Sequence, residues 1–263
     1  MFEYVAPYAT VAVGPWVTNK TSQIQVFSSR INALDTATIS IPSEGVELGS
    51  ITKGMPVSVE MGYREKGLWP TFSGKVFDVS SGRTVDLYCK DHMEDLRTTF
   101  ITQTFVNASP QDIVKYGLIK AGVTDFQLGS TQLAKRHHFV ASNLNVIQLI
   151  KMVNRTWNLT DWAFYFEPAG QFSWGPWEES SRYNNGLPVA ILEYGKNLLD
   201  LEPSDQDYGT LKTFSLPFIQ HSNLLLLRDQ RFWDRDVTVR IERIEYLHSE
   251  TTEMTIEWRI QQN

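Results

Sequence analysis

The stretch Asp236–Gln261, DVTVRIERIEYLHSETTEMTIEWRIQ, decides the fold class of this chain. Its first half carries apolar residues at every second position up to Ile241, and the parity then changes at Ile244. After a polar turn, the alternation resumes at Met254 and runs to Ile260. Such alternation predicts strands with one face in a core and the other in water. Two such strands around a polar turn predict an antiparallel hairpin, and the parity change predicts a β-bulge in its first arm.

A similar hairpin pattern occurs in the first third of the chain. Phe72–Val79 leads through the turn residues Ser80–Arg83 into a strand that carries Val85, Leu87 and Cys89 on one face. Two similar hairpins predict a fold that uses one β-unit twice, near the two ends of the chain.

The composition is that of a folded protein. The chain has 263 residues, of which 42% are hydrophobic and 21% are charged. Its net charge of −6 argues against nucleic acid as the main partner, since phosphate binding needs a basic stripe. The single cysteine, Cys89, excludes an internal disulfide and indicates folding in a reducing compartment. We read no signal peptide at the start and no apolar run of about 18 residues, so we expect cytoplasmic synthesis and no membrane insertion.

Helices are predicted only in the middle of the chain. Residues 1–90 are predicted to be all-β, with a polar loop at Tyr63–Pro70. Ser109 followed by Pro110 is a strong helix start, and that helix is predicted to end at Gly122. A second amphipathic helix is predicted after Asn143.

An aromatic hairpin is predicted at 162–174, and the tail from 189 returns to β. The predicted fold is therefore α+β and mostly β, with two small antiparallel β-barrel units and an α+β insertion between them. The predicted domains are a first barrel unit at 1–98, the insertion at 99–188 and a second barrel unit at 189–263.

The residues that bear chemical function form no recognisable reaction centre. Adjacent residues of a strand point to opposite faces, so His137 and His138 are poorly placed to share a metal. Asp91–Asp95 resembles solvated charge after a strand. The carboxylates Glu178, Glu179, Asp205 and Asp207 lie in predicted loops, and Cys89 falls on an apolar face. We find no nucleophile elbow, phosphate loop or zinc motif, and we predict no catalytic, cofactor or metal site and no enzyme activity.

Two aromatic clusters are candidates for partner contacts. Trp174 and Trp177 flank a Gly-Pro pair, where the rings either dock a partner or cap the core hairpin. Phe232 and Trp233 lie among arginines in the loop before Asp236, a mixture typical of interface hot spots.

The order of these features resembles that of phage tail baseplate hub proteins. These are the late control D hubs of contractile tails, related to the N-terminal part of the VgrG spike proteins of type VI secretion. The similar segments are the hairpin from Phe72 to Asp91, the helix lead Thr104–Ile113, the helix from Asn143 to Trp157, the aromatic segment Trp162–Phe172, the entry to the second unit at Tyr194–Leu201 and the final hairpin at Val239–Tyr246.

The resemblance implies a structural protein of the virion tail baseplate, made in the host bacterial cytoplasm. It implies a homotrimeric ring whose two barrels per chain join a three-fold spike to a six-fold tail tube. The implied partners are a tail spike protein, tail tube or distal tail proteins and a tape-measure protein. Since no spike or lysozyme segment follows Asn263, we expect the spike to be a separate protein.

Three other functions stay open at this point. An OB-like module that binds oligonucleotides or glycans would place basic residues beside exposed rings. A tail-associated glycan hydrolase would need Glu178 or Glu179 as a catalytic carboxylate. A hub of the type VI secretion kind is closest to the resemblance.

Overall fold

The computed structural model describes residues 6–43, 50–204 and 207–261. They form two compact units: the smaller unit consists of 92–181, and the larger unit consists of the chain before and after it. Strands hold 53% of the residues and helices 14%, which confirms a mostly β chain of the α+β class. The division into three domains at 98/99 and 188/189 remains a prediction.

Most regular elements of the described residues are strands, and the α-helices all lie in the middle of the chain. In chain order they are β1 Pro7–Val13, β2 Trp16–Thr18, β3 Gln23–Ser29, β4 Thr36–Pro42, β5 Pro56–Tyr63, β6 Gly67–Ser81, β7 Thr84–Asp91, α1 Met93–Thr98, β8 Phe100–Ala108, α2 Pro110–Lys120, β9 Phe126–Leu128, β10 Arg136–Asn145, α3 Val146–Thr156, β11 Trp162–Phe166, β12 Phe172–Pro176, β13 Ala190–Glu193, β14 Leu198–Pro203, β15 Tyr208–Phe214, β16 Leu224–Arg228, β17 Val237–His248 and β18 Thr252–Ile260.

The predicted anchor hairpin is confirmed as β17 and β18, which pair antiparallel. The register shifts between Ile241 and Arg243, so Glu242 is the extra residue of a β-bulge at the predicted change of parity. The bulge returns Ile244 to the buried face, where it packs with Ile256 and the other apolar residues of the hairpin.

The earlier hairpin is confirmed as β6 and β7, and it contains a bulge of the same kind. Its register shifts between Val76 and Asp78, which leaves Phe77 as the extra residue. Gly74 lies where β6 runs closest to β7, because a Cβ atom built there would stand 2.1 Å from the carbonyl oxygen of Lys90. The polar loop predicted at Tyr63–Pro70 is wrong: β5 extends to Tyr63, and β6 begins at Gly67.

Both predicted β-units belong to the larger compact unit, where they share one 13-stranded sheet. Its main order is β14-β15-β18-β17-β3-β4-β7-β6-β5-β1-β2, and β3 pairs with β17 where the units join. Apolar residues from both units form a single hydrophobic core. No closed barrel is detected among residues 6–43, 50–204 and 207–261, so the two-barrel arrangement remains a prediction.

In the smaller unit, both predicted helices are confirmed. Ser109 and Asp112 form a reciprocal capping box at the start of α2, and Gly122 follows that helix with a φ of +82°. Asn145 caps α3 in the same way. No helix of the described chain is long and apolar enough to cross a membrane.

Strands complete the smaller unit. The aromatic hairpin is confirmed as β11 and β12, with β9 added in parallel on the β12 side. The antiparallel pair β8 and β10 is not predicted by the sequence analysis. In β8 most side chains are exposed, so the strand lacks the alternation that identifies the others.

Candidate partner-binding surface

A loop at 228–236 borders a cavity of the larger unit with a volume of about 570 Å³. The loop connects β16 to β17, and Glu193 and Tyr194 at the end of β13 line the cavity with it. β13 pairs in parallel with β16, which brings these two distant segments together.

Arg231 is held in a fixed position by two contacts. Its Nε and Nη2 atoms donate to the Asp229 carboxylate at 2.9 and 2.7 Å, and its guanidinium carbon lies 3.3 Å from the centre of the Tyr194 ring. The Asp229 side chain is fully buried, and the hydrogen bonds from Arg231 hold its pKa below the usual range. The loop therefore presents an ordered cation stacked on an exposed tyrosine.

Further ion pairs lie at the ends of the loop and beside β13. Arg228 Nε donates to Asp236 at 2.8 Å, and Lys196 Nζ lies 2.7 Å from Glu193. Since both cations and carboxylates line the cavity, its net charge is small. That composition suits a protein partner better than a phosphate backbone.

The predicted interface aromatics of this loop differ in exposure. Phe232 is 46% exposed. Trp233 is partly buried against the hydrophobic core, with its ring 5.9 Å from that of Trp258. Phe232 is thus the more exposed ring, while Trp233 packs against the core and also lines the cavity.

The other two predicted interface residues, Trp174 and Trp177, are buried in the smaller unit. Trp174 Nε1 donates to Asn154 Oδ1 at 2.9 Å, and its ring centre lies 4.4 Å from that of Trp162. Both rings are therefore part of the packed interior of the smaller unit.

The residues weighed for chemistry do not converge on a reaction centre. His137 and His138 are both exposed on β10, and no group of three metal-binding side chains occurs in the described parts of the chain. Burial raises the pKa of Cys89 to about 12, so its thiol is protonated and inert at neutral pH. Glu179 accepts hydrogen bonds from Ser130 N and Thr131 Oγ1, which hold its pKa low and give it a structural role.

Asp205 and Asp207 complete the predicted carboxylate set. Asp205 lies outside the described residues, and Asp207 uses its backbone carbonyl to bind Ile260 N at 2.7 Å. Asp91, predicted to be solvated, is buried at the end of β7.

The larger unit also contains a polar cluster that the sequence analysis misses. Its titratable members Asp35, Arg182, His221 and Tyr246 come from distant segments, and the last three are buried. Ser28 Oγ and Ser29 N donate to Asp35 at 2.5 and 3.0 Å, yet desolvation raises the pKa of that carboxyl to about 6. Desolvation also holds the pKa of His221 well below its usual range. No local motif signals this cluster, because its members meet only in the folded chain.

The edges of the large sheet differ in how open they are. At β13, the Asn197 side chain accepts from Glu193 N at 2.8 Å and donates to Ile191 O at 2.9 Å, which closes part of that edge. The terminal strands of the main order, β14 and β2, pair with no further strand among the described residues, and β14 makes one isolated bridge, between Leu198 and Tyr194. Open edges of this kind are sites for pairing with other chains.

The fold is that of phage tail proteins. A tail protein from Neisseria meningitidis MC58 matches with a TM-score of 0.76 at 11% identity, over 97% of this chain and 96% of the other. The 43 kDa tail protein of prophage MuSo2 from Shewanella oneidensis matches with a TM-score of 0.77 at 10% identity, over 96% of both chains.

A third similar structure is a secretion component. The Escherichia coli c3393 protein, described as a component of the type VI secretion system similar to the T4 tail proteins gp27 and gp5, matches with a TM-score of 0.69 at 10% identity. The match covers 96% of this chain and 77% of the other. No protein-family model and no curated protein matches this chain. At these identities the likeness establishes the fold.

Proposed function

We propose that this chain is a structural, non-enzymatic hub of a phage or phage-like tail baseplate. The observation that carries the proposal is the fold match over nearly the whole length of two phage tail proteins. The absence of a convergent reaction centre among the described residues is consistent with it. A hub of a type VI secretion apparatus is the second candidate, supported by the match to the E. coli component.

In this proposal three chains form a ring that joins a spike to the six-fold tail tube. The repeated bulged hairpin supports two similar units per chain, and three chains would then present six units to the tube. The terminal strands β14 and β2 are the edges that pair with neighbouring chains or tube proteins. The 228–236 loop is the surface that holds the spike.

Tail particles purified from producing cells test both parts of the proposal. We expect the wild-type chain to co-purify with the particles and Phe232→Ala to lower the recovery of spike protein in them. Phe214→Ala is the matched control, since Phe214 is 40% exposed on β15, away from the loop in sequence. A chain absent from purified particles would refute the structural role. Equal spike recovery in both variants would refute only the assignment of the loop.

A further inference from the structure

One part of the smaller unit carries cations almost without carboxylates. In residues 100–120 and 135–156, which contain β8, α2, β10 and α3, the only acidic residue is Asp112. The six cations of the same segments are all exposed, and none forms an ion pair in the part of the chain that the structure describes. They are Lys115, Lys120, Lys135, Arg136, Lys151 and Arg155.

Two of these cations, Arg136 and Arg155, lie at the C-terminal end of α3. Arg136 Nη2 donates to the carbonyl of Thr156 at 2.6 Å, and its guanidinium lies 5.2 Å from the Trp157 ring centre. Trp157 Nε1 donates to Ala134 O at 2.7 Å, which holds the segment before β10 against the same helix end. Arg155 lies in the last turn of α3, next to these contacts.

The exposed side of α3 continues this surface. Lys151 and Arg155 are four residues apart and therefore lie on one face of the helix. Met152 adds an apolar side chain that is 38% exposed. We name Arg136, Lys151, Met152 and Arg155 the α3 basic face. Methionine and arginine together are typical of protein interfaces.

Several exposed cations elsewhere in the chain have acidic partners close by. Examples in the larger unit are Lys53 with Asp78 at 2.7 Å and Arg228 with Asp236 at 2.8 Å. Together, the six cations and Asp112 give residues 100–120 and 135–156 a net charge of +5. Since the whole chain has a net charge of −6, the rest of the chain has a net charge of −11. The rest of the chain thus has the net charge opposite to that of the α3 basic face.

We propose that the α3 basic face binds an acidic surface on a second copy of this chain. The proposal rests on the ring suggested above, because a contact between two different surfaces of identical chains is the kind that closes into a ring. Complementary charges would set the orientation of neighbouring copies and speed their association. Nucleic acid is the competing ligand for such a face, and the test separates the two.

The test compares Lys151→Glu/Arg155→Glu with a control of equal charge change, Lys20→Glu/Lys66→Glu. Lys20 and Lys66 are exposed and form no ion pair among the described residues. A third variant, Lys151→Gln/Arg155→Gln, removes the cations without placing acids at a helix C-terminus. Circular dichroism checks the folding of each variant, and analytical ultracentrifugation at low and high salt measures self-association.

We expect wild type and control to associate equally, with an affinity that falls as salt rises. The Gln variant should associate more weakly, and the Glu variant at least about tenfold more weakly than wild type. A wild-type trimer with unchanged affinity in both α3 variants would overturn this inference and leave the ring intact. A wild-type chain that never self-associates would overturn the inference and the ring together. Binding of a 20-base-pair DNA duplex that is lost in the α3 variants, with self-association unchanged, would assign the face to nucleic acid instead.

Discussion

At the scale of single residues, the polar cluster around Asp35 shows how the fold perturbs an ordinary carboxyl. Two hydrogen bonds from Ser28 and Ser29 favour the charged form, and the nearby Arg182 does the same. Desolvation outweighs them and raises the pKa from 3.8 to about 6. Ionised Asp35 is therefore a cost to the folded state at neutral pH.

This cost gives the stability of the protein a defined pH dependence. A folded pKa above the unfolded one means that the folded state binds more protons, so stability contributed by Asp35 falls as pH rises between about 4 and 6. Asp35→Asn cannot ionise, and we expect its unfolding free energy relative to wild type to increase across that window. Urea denaturation at several pH values measures the difference. A difference that stays constant with pH would contradict the assignment.

At the residue scale, the sequence predicts features set by neighbouring residues and does not predict contacts between residues far apart in the chain. Ser109, Pro110 and Gly122 define a helix by chemistry within the helix itself, so both of its ends were predictable. Trp174 and Trp177 were ambiguous, because the same ring serves a core or an interface. The stacking of Arg231 on Tyr194 depends on the pairing of β13 with β16, and neither neighbouring sequence contains that information.

At the scale of elements, the close approach of β6 and β7 depends on Gly74. A Cβ atom there would lie 2.1 Å from Lys90 O and 2.8 Å from Asp91 Cα, both of which are backbone atoms. We expect Gly74→Ala to destabilise the protein by about 2 kcal/mol or more, since the strands must separate to admit the methyl group. Urea denaturation provides the measurement.

Gly82→Ala is the matched control in the turn of the same hairpin. Its added Cβ atom would lie 4.0 Å from the backbone oxygen of Thr84, in ordinary van der Waals contact. We expect a change within about 0.5 kcal/mol. Similar losses in the two variants would show that the close strand approach is not the cause.

Strands were predictable from the sequence where one face of the strand is buried and the other is exposed to solvent. β17 and β18 alternate in this way, and their bulge was predictable from the change of parity. β8 exposes most of its side chains, and the predicted polar loop at Tyr63–Pro70 proved to be mainly strand. Both failures have one physical cause: a ladder of backbone hydrogen bonds forms without needing an apolar stripe.

At the scale of the whole molecule, the two similar β-units join through β3 and β17 into one sheet with one core. The sequence pattern indicated the repeat, while the joining of the units depends on register between distant strands. The larger unit therefore folds from both ends of the chain, with the smaller unit inserted between them. A repeated β-unit is what an adaptor between three-fold and six-fold structures requires.

The native mass of the purified chain tests this central claim most directly. Light scattering across a concentration series, alone and with a tail-tube protein, should give a mass of three 30.1 kDa chains in at least one sample. That result would support the hub and its role as a symmetry adaptor. A strict monomer under every condition would contradict the account.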